Sequence, residues 1–364
     1  MLKEFILSPV IKNNFEHSLF WGAKANCELM KFLSYKLPIY YLLLILLVFG
    51  SAFTWLYQKP SKVVERVSER NNCSVQILRQ NIYELTKPVI LVDVGNEEQS
   101  FDNLKSRLNQ FFEQQKAAGV IQSASVMFRQ QSDGKWFSIN PSETYSPGSI
   151  MKVVTMLCYL KAAESNPSIL EKKILLMRHF GEIPEQTLTG NVLVPGNYYK
   201  VKDLIAQMII YSDNDAAALL NRDVDFVIYQ KILKDLELPV PGKAQMNYEL
   251  TVKECSRLLR VLYNSSILKP ETSEYALQLL LQSGFKTGFS KYMDPSLKIA
   301  RKFGERSFGE IQQLHETGIF YYRDRPYILT VMTKGLDNKV LPEVLAQVSR
   351  MVFESLNENS ALLN

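Results

Sequence analysis

The chain has 364 residues, 46% hydrophobic and 22% charged, with 16 Gly and 15 Pro, which excludes collagenous, low-complexity and wholly disordered classes. Its 42 basic and 37 acidic residues leave a formal charge of only +5, and no block of like charge marks a nucleic-acid partner. Cys27, Cys73, Cys158 and Cys255 form no C-x-x-C pair, so neither a zinc module nor a disulfide scaffold is indicated.

Residues 37–57 (LPIYYLLLILLVFGSAFTWLY) run without a charge, and as a helix they would span about 31 Å, the thickness of a bilayer's hydrocarbon core. Lys36 and Lys59 bracket the run, and Tyr40, Tyr41, Trp55 and Tyr57 stand near its ends, where amphipathic rings meet headgroups. A single transmembrane helix is expected at 37–58, anchoring the chain to a membrane, because the 36 residues before it are too many for an ordinary signal n-region. Three lysines precede the run within 20 residues and four basic residues follow it, so charge alone does not orient it.

A mixed-charge connector is expected over 59–100, with one strand at 89–94. Residues 101–119 place Leu104, Leu108, Phe111 and Phe112 on one helical face before Gly119. Short strands at 124–129 and 135–139 flank the turn QQSDG. From Ser149 to about Gln282 the pattern is mainly helical, and Thr251 with Glu254 spells a capping box. Strand character returns at 297–303, 313–322 and 327–333, and a helix closes at 341–356. This order implies an α/β (α+β) fold, an antiparallel sheet flanked by helices with an all-helical lobe inserted in the middle. The domain is expected over 101–357, followed by a short tail at 358–364, with a ligand cleft between the lobes.

Ser149-Ile150-Met151-Lys152 opens a helix behind YSPG, so the hydroxyl and the amine project from one side of the first turn. A desolvated lysine there can take the serine proton, and the helix N-terminus points N–H groups at a forming oxyanion. S-x-x-K occurs four times in the chain, but only this copy starts an apolar helix. Ser212-Asp213-Asn214 follows the apolar helix VKDLIAQMIIY and can hold a hydroxyl and an amide in a cleft. His17, His179 and His315 are isolated in sequence, giving little support to a His-based triad or metal site, and His315 is expected to be structural.

S-x-x-K followed by S-D-N resembles the motif order of class A β-lactamases and related penicillin-binding proteins, whose third motif is K-T-G on a strand. YSPGSIMKVVTMLCYLKAAE looks like the family's nucleophile helix, and LHETGIFYYRDRPYILTVMTKG like the hairpin after its third motif. Lys286-Thr287-Gly288 matches the letters but follows a helix. Lys302-Phe303-Gly304 lacks the threonine but ends a strand-like run, and structural setting outweighs spelling.

The resemblance implies acyl transfer without metal or organic cofactor. Ser149 would be the nucleophile, Lys152 its base and Ser212 a proton relay to the leaving nitrogen. Asn214 would bind the substrate amide and Lys302 its carboxylate end. Phe303 replaces a hydroxyl donor with a ring, Gly304 completes the motif, and Glu305 would add its N–H to the oxyanion hole. No E-x-x-L-N lies between Asn214 and Lys302. Glu249, 35 residues past Asn214, reads as a loop or helix-start carboxylate, so deacylation is expected to be slow. The substrate implied is a β-lactam or a peptidoglycan-peptide amide, with no nucleic-acid partner. The implied place is the cell membrane, single-pass, with residues 1–36 cytoplasmic and the catalytic domain extracytoplasmic. A D-alanyl-D-alanine peptidase, or a non-catalytic penicillin-binding or sensor module, is the alternative.

Overall fold

The computed structural model describes residues 63–66, 76–79, 83–88, 97–180, 188, 192–240 and 248–361. The expected membrane span at 37–58 and the expected strand at 89–94 lie outside the described residues. No helix among the described residues is long and apolar enough to cross a membrane.

The elements run in chain order as follows. Strands β1 (Val63–Arg66) and β2 (Gln76–Arg79) form an antiparallel pair. Helix α1 (Asp102–Ala117), strands β3 (Ser123–Gln130), β4 (Trp136–Ile139) and β5 (Thr144–Tyr145), and helix α2 (Lys152–Ala163) follow. Strands β6 (Lys173–Leu175) and β7 (Tyr198–Lys200) lead into helices α3 (Val201–Ile210), α4 (Asn214–Asp223) and α5 (Phe226–Asp235). After strand β8 (Leu250–Thr251) come helices α6 (Val252–Tyr263) and α7 (Pro270–Leu281). The last elements are β9 (Ile299–Phe308), β10 (Ile311–Phe320), β11 (Tyr327–Gly335) and α8 (Leu341–Ala361).

Five strands make an antiparallel sheet in the order β4-β3-β11-β10-β9. Period-two alternation sends Val126, Phe128, Leu329, Val331, Leu314 and Phe303 to one face, where α1 and α8 contribute Leu108, Phe112, Val344 and Val348. Met127, Ile328, Met332, Ile319 and Ala300 face the other way, against Leu258, Leu259 and Leu262 of α6 and the core of the helical lobe. Glu254 and Thr251 form the reciprocal capping box at the start of α6.

Two features differ from the sequence expectation. Segment 83–88, expected in the connector, is bonded into the domain: the Glu274 carboxylate accepts from the N–H groups of Leu85 and Thr86, and Lys87 N–H donates to Tyr263 O. Strand β9 begins at Ile299 and continues five residues past Phe303, so Lys302 lies inside a strand rather than at its end.

Candidate active site

Ser149 sits in a 3-10 turn, Gly148–Met151, and the α-helix proper starts at Lys152. Gly148 takes φ +53, the left-handed region that suits glycine. The turn meets edge strand β9 so closely that only glycine fits on either side. A Cβ on Gly304 would collide with the Pro147 carbonyl, and one on Gly148 with the Glu305 carbonyl. This contact brings the Glu305 main chain beside the N-terminal turn that carries Ser149. The first N–H groups of a helix lack intrahelical partners, the property that an oxyanion hole would require of the Ser149 N–H.

Strand β10 holds the turn from the other direction. Ser146 N–H donates to Gln313 Oε1 at 3.0 Å, and His315 Nε2 donates to Ser146 O at 3.0 Å. His315 Nδ1 accepts from Thr333 N–H at 3.1 Å, which assigns the proton to Nε2. Burial pushes the His315 pKa down to about 3, against its bonds to Ser146 and Leu314.

Lys152 is 7% exposed and its Nζ donates to Asn214 Oδ1 at 2.8 Å, to Ser212 Oγ at 3.2 Å and to Ser212 O. Burial pushes its pKa down to about 8, with the Asp213 and Glu305 carboxylates working against the shift. Ser212 has φ +58, a conformation a non-glycine residue rarely adopts, and its carbonyl and hydroxyl both meet Lys152. Asp213 caps α4 by accepting from Ala216 N–H at 2.7 Å, which locks the loop.

Lys302 is completely buried. Its Nζ donates to Ser212 Oγ at 2.9 Å and to Phe303 O at 3.0 Å, and lies 4.3 Å from the Phe303 ring centroid. Burial, and next the charge of Lys152, hold its pKa well below the usual lysine range. Phe303 is stacked on Phe285 with centroids 4.4 Å apart and planes 17° apart. Ser149, Lys152, Ser212 and Asn214 line a cleft of about 1250 Å3 together with Phe303 and Glu305. Lys302 and Gly304 lie behind its wall.

Several lining residues were not singled out from sequence. Thr155 Oγ1 donates to Asn221 Oδ1 at 2.7 Å one helical turn beyond Lys152. Its place at i+3 from Lys152 was the one available signal. Tyr229 and Tyr248, and the exposed Arg306 and Lys339, also line the cleft. Thr287 of the K-T-G triplet also lines the cleft, but Lys286 does not. That triplet is a loop packed on a buried ion pair: Phe289 N–H donates to Glu316, whose other oxygen stands 3.2 Å from Arg301 Nε, and a Cβ on Gly288 would strike the same carboxylate.

Glu249 lies away from the cleft, exposed, accepting from Thr144 Oγ1 at 2.7 Å beside the β5–β8 pair. Among the described residues that line the cleft, Glu305 is the one carboxylate. His179, isolated in sequence, is paired in space: its Nδ1 is 2.6 Å from Asp215 Oδ2, and Phe180 N–H donates to Asp215 Oδ1 at 2.7 Å. No group of three or more metal-ligating side chains occurs among the described residues.

A nucleophile turn wedged against an edge strand, with lysine and S-D-N groups gathered between a sheet and a helical lobe, defines a β-lactamase-like serine hydrolase class. Residues 103–356 match the model of the beta-lactamase enzyme family, and the chain belongs to that family. Similar solved structures include the TLA-1 extended-spectrum beta-lactamase, at 15% identity and TM-score 0.59 over 71% of this chain and 99% of that one. PBP-A is similar at 19% identity and TM-score 0.57, over 70% of this chain and 96% of its own. A beta-lactamase from Sphaerobacter thermophilus is similar at 16% identity and TM-score 0.57, over 70% and 96%. At these identities the likeness is one of fold. No curated protein matches the chain in sequence.

Proposed function

We propose that the protein is a membrane-anchored serine acyl-transfer enzyme acting on β-lactam or cell-wall peptide amides through an acyl-enzyme that water clears slowly. The observation that carries this reading is the convergence of Lys152 and Lys302 on one hydroxyl, that of Ser212, at 3.2 and 2.9 Å. Neutral Lys152 takes the proton of Ser149 as its Oγ forms a bond to the substrate carbonyl carbon. The developing oxyanion is met by the N–H groups of Ser149 and Glu305. As the C–N bond breaks, Ser212 passes a proton from Lys152 to the leaving nitrogen, and the Ser149 ester remains.

Slow deacylation is supported by the missing E-x-x-L-N motif and by Glu249 being held at Thr144, which leaves Glu305, whose N–H is assigned to the oxyanion, as the one carboxylate among the described lining residues. A variant of PBP-A, similar at 18% identity and TM-score 0.58 over 71% of this chain and 97% of its own, has been solved as an acyl-enzyme complex with penicillin G. The uncharged 37–57 run supports a single-pass anchor; an orientation with the catalytic domain outside the cytoplasm rests on the family resemblance alone, against the faint charge count, and a reporter fused to the C-terminus checks it.

The test follows loss of a chromogenic cephalosporin by the full-length chain beside covalent labelling with a fluorescent penicillin, with Ser149→Ala as control. Ser149-dependent labelling with little turnover supports the reading. Rapid turnover defeats the slow step, and turnover or labelling that survives Ser149→Ala defeats the nucleophile assignment.

A further inference from the structure

The resemblance assigns the anionic end of the substrate to the third-motif lysine. In this chain that lysine is out of reach. Lys302 is completely buried, both hydrogen bonds of its Nζ are made inside the protein, and the wall the cleft meets there is Phe303 stacked on Phe285. A carboxylate brought to that wall would exchange water for an aromatic face, an unfavourable transfer without a paired charge.

Cationic groups stand instead at the cleft's outer rim. Arg306 leaves β9 immediately after Glu305, and Lys339 sits in the loop before α8. Both are exposed and line the cleft, and neither makes a salt bridge among the described residues. Arg306 rests its guanidinium 5.4 Å from the Phe308 ring centroid. The rim is built rather than loose: Gln312 Oε1 accepts from Ser307 Oγ at 2.5 Å and from Asn338 Nδ2 at 2.9 Å. One side chain therefore ties the residue after Arg306 to the residue before Lys339. Glu305 is the opposing charge on this rim, so the cations outnumber it by one.

We propose that Arg306 and Lys339 recognise the negatively charged end of the substrate, and that Lys302 is withdrawn behind Phe303 to act on the Ser212 hydroxyl alone. The inference rests on the acyl-transfer reading and sharpens it. The favoured substrate is an amide whose anion extends along the cleft to the rim.

The experiment measures equilibrium binding of benzylpenicillin and of its methyl ester to the full-length Ser149→Ala chain at low and high salt. Binding to this variant requires no acylation, while Ser149-dependent labelling of the wild type judges the acyl-transfer reading separately. The carboxylate form is expected to bind about fivefold more tightly than the ester at low salt, the scale of two exposed charge pairs, with the preference shrinking as salt rises. In the Arg306→Ala/Lys339→Ala background the preference disappears, and adding Phe303→Thr there restores it by opening the way to Lys302. Both rim residues are exposed, so an unchanged Tm shows that the double variant is folded. The inference is overturned if no carboxylate preference exists, or if the preference survives the double substitution and is abolished by Lys302→Met.

Discussion

Lys302 Nζ stands 2.9 Å from the Ser212 hydroxyl, inside a strand and without exposed surface. Two lysines share this hydroxyl, and burial works against the charged form of each. Lys302→Met removes one donor while filling the same volume with an apolar chain. The substitution relieves the desolvation of the amine but takes a donor from Ser212 Oγ and Phe303 O, a loss of about 1–3 kcal/mol, so Tm should fall only modestly. Loss of a positioned proton-transfer partner is worth about 10²–10⁴ in rate. Acylation measured by labelling should therefore slow on that scale without loss of fold, and Ser212→Ala should do the same.

The pH dependence follows from Lys152. Its folded pKa of about 8 lies below the ordinary 10.5, and only the neutral amine can accept the Ser149 proton. The labelling rate should rise with pH and level off above about 8. The stability sign is the same. Between pH 8 and 10.5 the unfolded chain keeps a proton that the folded chain has released, so the residue's contribution rises through that window. Below it the cost is full, about 3 kcal/mol. Urea unfolding at pH 7, 8.5 and 10 checks this, with Lys152→Met flattening the trend and abolishing labelling.

His315 gives the acid limb. Its pKa is about 3 in the fold against an ordinary 6.5, so its contribution is complete above 6.5 and drains away as pH falls through 3. The loss should reach about 1.4 kcal/mol for each pH unit within the window. Denaturant titrations at pH 7.5, 6 and 5 should show this slope in the wild type and a shallower one in His315→Gln. A second variant, His315→Leu, should label more slowly at pH 7.5, because the Ser146 carbonyl loses its donor and the Ser149 turn loosens.

The contact between Gly304 and the nucleophile turn leaves no room for a methyl group. Gly304→Ala should cost about 1–3 kcal/mol, the usual range for overpacking, measured by urea unfolding. It should also slow labelling, because the displaced strand carries the Glu305 N–H. Gly309→Ala is the control: a Cβ there meets nothing within 4 Å and the substitution is opposed only by its positive φ of +59, so it should lose stability without the catalytic defect.

Helices, sheet strands and the capping box were legible because amphipathic periods and local side-chain chemistry decide them. Thr251 and Glu254 needed only each other. Ser149, Lys152, Ser212 and Asn214 were legible through motif spacing, and the structure gathers them on one cleft. What remained hidden depends on long-range packing. Nothing local to Lys302 says that Phe285 will stack on Phe303 and close the cleft in front of it. His315 looked isolated because its partners, Ser146 and Thr333, lie on a distant turn and a neighbouring strand. The sequence offers Glu249 as a loop or helix-start carboxylate, but its bond to Thr144 depends on the pairing of β5 with β8, two residues each and too short to show a period.

The most direct test of the central claim is the intact mass of the full-length chain after incubation with benzylpenicillin, followed over time beside Ser149→Ala. The account predicts a gain of one whole penicillin, long-lived in the wild type and absent from the variant. An unmodified wild-type mass, or an adduct that Ser149→Ala retains, would contradict it.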